Sequence, residues 1–359
     1  MKPQVIAFYL PQYHPIPEND IWWGNGFTEW TNVGKAKPLF PNHYQPRIPA
    51  DLGYYDLRVP ETREAQAFMA REAGIDGFCY WHYWFGNGKR LLERPFNEML
   101  ATGKPNFPFC LAWANESWKD KSWNKDGKDI ILMQQEYLGI TDYTDHFFTL
   151  LPAFKDRRYF RVNDKPLFVI YKPLADVEIT IFIKTWRCLA KENGLNDFFF
   201  VGHCFNDSRN IKLYQSLDLD AINTVRIRGF YLYRNKILKF IYEFYRTIFH
   251  RPYVISFKKA YKYFFDKNLD AQEGIFPTII TGWDNTPRGG WNGTVMKDFS
   301  PYLFGKQLKT ILEYTKNKKN NIIFLKSWNE WAEGNYIEPD LKWGMEFLNV
   351  LSKILIEDI

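Results

Sequence analysis

Two glutamates three positions apart, Glu330 and Glu333, stand in the stretch Asn321 to Gly334, NIIFLKSWNEWAEG. The apolar run Ile322 to Leu325 ahead of them reads as a strand buried on both faces that ends in a polar, aromatic turn. Two acids at that spacing just past a strand end can face one cavity, and the flanking Trp328 and Trp331 would lower the local dielectric. Desolvation and mutual repulsion would then push one carboxyl pKa above the other, leaving an acid and a base at neutral pH. Glycoside cleavage needs that split, and so do other acid/base reactions. Taken alone, the same text also suits a surface loop with two solvated glutamates over packed tryptophans.

The elements that would carry such a turn recur along the chain. Strand-like runs fall at Val5 to Tyr9, Gly77 to Tyr80, Phe109 to Trp113, Leu167 to Tyr171, Phe198 to Gly202, Ala221 to Val225, Thr278 to Thr281 and Ile322 to Leu325. Helical patterns lie between them, at Glu61 to Ala73, near Tyr143 to Phe154 and at Asp176 to Glu192. Eight strands with helical connections predict an α/β fold, a (β/α)8 TIM barrel, spanning 1–359 as a single domain. A length of 359 residues suits one barrel of about 250 residues with insertions.

The residues just downstream of each strand point the same way. Gln12 and His14, His82 and Tyr83, Asn115 and Glu116, Tyr171, His203 and Asn206, Asn223, and Trp283, Asp284 and Arg288 all come after apolar runs. In a barrel these positions gather at one rim, where active sites of such enzymes lie. Polar loops account for part of this set. The recurrence of Trp, Tyr and His beside amides and acids is less ordinary. Trp30, Tyr80, Trp113, Trp328 and Asn329 join the candidate substrate-binding residues on this ground. Glu29, an acid between aromatics in GFTEWTNV, would either line the cleft or pair with an arginine.

Composition adds bounds. An aromatic share of 19%, with 14 Trp, 22 Tyr and 31 Phe, suits platforms for sugar rings, although a coding bias toward Phe, Tyr, Lys and Asn would contribute. The N-terminus MKPQVIAFYLPQYHP reads as a first strand rather than a signal peptide, and no stretch is long enough to span a membrane. Cys79, Cys110, Cys188 and Cys204 are widely spaced, as expected of reduced residues in a cytoplasmic protein. The six histidines lack metal-ligand spacing, so neither a metal nor another cofactor is expected. FGNGKR (Phe85 to Arg90) lacks the full form of a phosphate loop.

Four stretches resemble one family. GNGFTEWTNVGKAKPLFPNHYQPRIPADLGYYDLR (Gly24 to Arg58), GFCYWHYWFGNGKRLLERP (Gly77 to Pro95), FPFCLAWANESW (Phe107 to Trp118) and SWNEWAEGNYIEPD (Ser327 to Asp340) look like the WbsX family, glycosyltransferase-labelled proteins of polysaccharide clusters that are similar to glycoside hydrolase family 99. The resemblance covers nearly the whole chain. It implies a TIM barrel acting on glycans by a retaining mechanism through a 1,2-anhydro sugar. Glu330 would deprotonate the substrate 2-hydroxyl, and Glu333 would protonate the leaving oxygen and then activate water. The implied substrate carries an axial 2-hydroxyl, as an α-mannoside does. ANESWKDKSWNKDGKD (Ala114 to Asp129) departs from the family pattern in its Ser117 and its lysines, which leaves the sugar open.

One segment is odd in charge. Arg226 to Glu273 holds eleven Lys/Arg against four Asp/Glu, a net +7 within a chain of net +6. Inside it, Lys236 to His250 places Ile237, Ile241, Phe244 and Ile248 on one helical face. A basic amphipathic helix of this kind suits an anionic membrane surface. An insertion at about 226–275, between strands six and seven and packed onto the barrel, is the favoured expectation. No nucleic-acid motif accompanies the charge. The sequence therefore predicts a retaining glycoside hydrolase acting on an oligo- or polysaccharide. A glycosyltransferase or transglycosylase is the first alternative, though no sugar-nucleotide motif is visible, and a non-catalytic glycan-binding barrel is the second.

Overall fold

The structure is a computed structural model that describes residues 3–120, 130–205, 211–227 and 236–357. Eight parallel strands form its core: β1 (Gln4–Tyr9), β2 (Gly77–Trp84), β3 (Phe109–Trp113), β4 (Lys165–Ile170), β5 (Phe199–Phe205), β6 (Ala221–Val225), β7 (Ile275–Ile280) and β8 (Ile322–Lys326). Each pairs with the next, and β1 pairs with both β2 (Ile6 with Gly77) and β8 (Gln4 with Ile322), so the sheet closes into a barrel. Closure explains why these strands are apolar throughout rather than alternating. One face fills the barrel and the other meets the helices. Inside, Phe8 stacks on Trp81 at 4.8 Å and on Phe324 at 5.1 Å.

The helices around this core include α1 (Glu29–Lys35), α2 (Pro60–Glu72), α3 (Arg94–Thr102), α4 (Ile140–Phe154), α5 (Ile179–Glu192), α6 (Lys236–Ile248), α7 (Pro301–Thr315) and α8 (Glu346–Ser352). Several start where the sequence says they should. Proline stands in the first turn of α2, α3 and α7, where its missing N–H costs nothing. Thr28 caps α1 by accepting from the Trp30 amide at 3.2 Å.

Two strands run three or more residues past their expected ends. β2 continues to Trp84 and β5 to Phe205, so His82, Tyr83 and His203 lie within strands rather than after them. After β2 the chain turns only at Gly86, whose φ of 98° supplies the left-handed conformation. FGNGKR is that hairpin turn, leading back to the antiparallel pairing of Trp84 with Arg90. The basic segment is tied to the loop after β7, where Tyr253–Ser256 pairs in parallel with Thr294–Lys297. α6 is not packed on the barrel through the face expected of it, since Phe244 and Ile248 are 63% and 53% exposed. Asn206, Lys121 to Asp129, and the side chains of Ile237 and Ile241 lie outside the described residues.

Candidate active site

The two glutamates are aimed by a tight hairpin beyond β8. Asn329–Glu330 pairs antiparallel with Asn335–Tyr336, and a single helical turn, Trp331–Glu333, connects them. Gly334 ends that turn at φ 55°, and a Cβ there would stand 2.7 Å from the Asp284 Cβ. Only glycine satisfies both the angle and the space. Asn329 clamps the hairpin to the end of β1, accepting from the Leu10 amide at 2.7 Å and donating to the Leu10 carbonyl at 3.0 Å. Below it, Glu338 accepts from Trp331 Nε1 at 2.6 Å, Gln66 Nε2 at 2.6 Å and the Tyr55 hydroxyl at 2.9 Å.

Glu330 is buried. It accepts from Trp81 Nε1 at 3.1 Å, Ser327 Oγ at 3.2 Å and Lys326 Nζ at 3.2 and 3.3 Å. Glu333 lies nearer solvent, with its side chain 19% exposed, and accepts from Arg288 Nη1 at 2.7 Å. Arg288 also grips buried Glu29, Nη2 to Oε2 at 3.0 Å. Lys326 Nζ stands 4.0 Å from Glu333, and the two catalytic candidates are hydrogen-bonded to each other. Three carboxyls thus share two fixed cations, and one proton among them makes the cluster neutral. Burial and the charge of Glu330 hold that proton on Glu333, raising it to about 7 despite Arg288 and Lys326. Burial would also raise Glu330. Lys326 first, then the bond from Glu333, Arg288 and Trp81 overcome this and bring it to about 2. At neutral pH the cluster therefore holds an anionic base beside a carboxyl that keeps its proton about half the time.

His203 closes the floor. Its ring lies 6.1 Å from that of Trp81 and 5.3 Å from that of Tyr171. Asn223 donates to the Phe276 carbonyl and the Thr278 hydroxyl, so its oxygen is left to accept from His203 Nδ1 at 2.7 Å. Burial, with Lys326 behind it, lowers His203 to about 3, and the ring is neutral.

Of the residues picked from sequence, Glu330, Glu333, Glu29, Tyr171 and His203 gather here. Tyr83 also faces the cluster; burial and then the Glu330 charge raise its hydroxyl pKa. Glu116 sits on the rim, paired with Lys172. Trp30 is half-buried, with Nε1 bonded to the Tyr55 carbonyl at 2.7 Å. The others are not brought into the site. Strand alternation turns Tyr80 and His82 outward, onto Phe96 of α3 and His146 of α4. Trp113 packs on Phe182 of α5. His14 is held by the Pro11 carbonyl at 3.0 Å. Asn115 ties β3 to β4 through the Lys172 amide and carbonyl. Asp284 is bonded to His43, Gln45 and Thr286. Trp283 and Trp328 are core residues, and Asn329 clamps the hairpin. Trp81, Lys326 and Ser327 were missed. The signal for Lys326 was its place two residues after Phe324, on the inward face of an otherwise apolar strand.

A family model described as Glycosyltransferase WbsX matches residues 5–351. This chain belongs to the WbsX family. Two relatives, both named WxcX, come from Xanthomonas campestris pv. campestris strains ATCC 33913 and B100. Each is 33% identical, over alignments covering 98% of this chain and 49% of the relative. The chain spans about half the length of these curated relatives. Among solved structures, a GH99 endo-alpha-mannosidase from Bacteroides thetaiotaomicron is similar at a TM-score of 0.59 and 16% identity, covering 99% of this chain and 97% of that one. A structure described as a glycoside hydrolase-like protein gives 0.61 at 14%, covering 99% and 94%. These likenesses agree with the closed eight-stranded (β/α)8 barrel of this WbsX chain.

Proposed function

We propose that this WbsX chain is a retaining glycoside hydrolase of bacterial surface polysaccharide metabolism that cleaves α-mannoside-like linkages through a 1,2-anhydro sugar. The contact between the Glu330 and Glu333 carboxyls carries the reading. A double displacement with a protein nucleophile uses carboxyls roughly 5 Å apart, and direct inversion uses more. Carboxyls in hydrogen-bond contact suit proton traffic between oxygens on adjacent carbons. Anionic Glu330 takes the 2-hydroxyl proton while O2 attacks C1, and Glu333 gives its proton to the departing glycosidic oxygen. Water, deprotonated by Glu333, then opens the anhydro ring at C1, and Glu330 returns the proton to O2. Lys326 keeps Glu330 ionised between turnovers. An axial 2-hydroxyl, trans to the leaving group, is the geometry this attack requires. The endo-alpha-mannosidase named among the similar folds agrees with that choice.

The test is NMR of anomeric products from a panel of bacterial surface polysaccharides, with wild type and Glu333→Gln. Cleavage with retained configuration, lost in the variant, is expected. The family description favours a second reading, transfer to a sugar hydroxyl in place of water. Movement of label from a sugar nucleotide or glycan donor onto an acceptor, with no hydrolysis, would establish it. Binding of glycan without any turnover would point to a non-catalytic barrel. No helix among the described residues is long and apolar enough to cross a membrane. The proposal places the enzyme in the cytoplasm, where its cysteine thiols would stay reduced.

A further inference from the structure

Among the described residues, α6 is fastened to the rest of the protein along one edge. The Tyr242 ring packs edge-on against Tyr253 at 5.0 Å, and its hydroxyl accepts from the Val254 amide at 3.1 Å. Arg246, 13% exposed, lies over the Trp291 ring at 6.0 Å. Just beyond the helix, Arg251 donates to the Leu39 carbonyl. The other edge faces water. Phe240, Phe244 and Ile248, spaced four apart, are 73%, 63% and 53% exposed. At 3.6 residues per turn they form one stripe, and exposed Tyr245 and Phe249 widen it.

Apolar side chains of this size, contiguous and turned outward, mark a docking surface. Charge identifies the partner. The segment from Arg226 to Glu273 carries net +7 while the remainder of the chain is close to neutral. An aromatic stripe within a cationic segment matches an anionic bilayer, where rings enter the interfacial layer and Lys/Arg meet the headgroups. The position is apt as well. Trp291, under Arg246, comes three residues after Arg288, the side chain that grips Glu333. The stripe is therefore borne by the same rim as the carboxyl pair.

We propose that α6 seats the enzyme on an anionic lipid surface, with Phe240, Phe244 and Ile248 entering the interface. A glycan displayed at that surface would then meet the barrel mouth directly. Lipid binding stands apart from the hydrolytic reaction and is tested without it.

The experiment is co-sedimentation of the full chain with phosphatidylcholine vesicles and with vesicles that also contain phosphatidylglycerol. Binding to the second kind alone, weakened by added salt, is expected. The double variant Phe240→Ser/Phe244→Ser should lose at least about tenfold in vesicle affinity, about 1.4 kcal/mol, with unchanged circular dichroism and thermal midpoint. No sedimentation with the anionic vesicles, or equal and salt-insensitive binding to both kinds, overturns the proposal. So does a concentration-dependent dimer in analytical ultracentrifugation that the double variant abolishes, since a second copy would then cover the stripe.

Discussion

Lys326 and Arg288 treat the two glutamates unequally, and that inequality sets the expected pH behaviour. Lys326 contacts Glu330 directly but stands 4.0 Å from Glu333. Arg288 divides its charge between Glu333 and Glu29. Activity should need Glu330 ionised and Glu333 protonated, so kcat/KM should fall with rising pH through about 7. Glu29→Gln leaves Arg288 to Glu333 alone, which lowers the Glu333 pKa and moves this alkaline limb to lower pH. A pH–rate profile in which the limb stays put would remove Glu29 from any role beyond packing. Lys326→Met acts on the other side: with its nearest cation gone the Glu330 pKa rises, and the acid limb moves upward. Glu333→Gln should cost about 10²–10⁴-fold in turnover of natural glycans. The loss should be much smaller for the first step alone, read as kcat/KM or as a burst of aryl release from an aryl glycoside whose leaving group needs no proton.

The hairpin from Asn329 to Tyr336 is the element that turns a strand end into a carboxyl pair. Its tolerance is small because Gly334 is pressed against Asp284 with a left-handed backbone. Gly334→Ala should destabilise the protein by at least about 1 kcal/mol from the backbone alone, and more from the contact, read as a lower thermal midpoint. Glu338 supports the hairpin from beneath as an acceptor for three donors. Glu338→Gln sets an amide N–H against one of them, a loss of about 1–3 kcal/mol. If that variant melts like wild type, Glu338 does not anchor the turn.

At the scale of the molecule, β1 closes the barrel against both β2 and β8, so its two ends are mutually dependent. The single-domain reading of the chain predicts one unfolding transition, coincident by tryptophan fluorescence and far-ultraviolet circular dichroism. An earlier, separate transition from the 226–275 segment would divide it into two units. The relatives are about twice as long as the part this chain matches.

The barrel was legible because its strands are buried on both sides. Runs such as Phe109 to Trp113 and Ala221 to Val225 have the same limits in sequence and structure. The glutamate pair was legible because it comes after the last of those runs at a spacing suited to acid/base chemistry. Facing was not. Tyr80, His82 and Trp113 look like rim residues in text, but strand alternation and the direction in which the barrel closes turn them toward the helices. Asn329, Asn115 and Asp284 look like sugar ligands, yet each is consumed by backbone or neighbouring side chains brought from distant parts of the chain. Which carboxyl keeps the proton depended on Lys326, four residues from Glu330, and on Arg288 and Glu29, which lie far off in sequence. Local pattern specifies what a strand is made of. Only closure of the barrel brings those charges within a few ångströms, and electrostatic shifts depend on that distance.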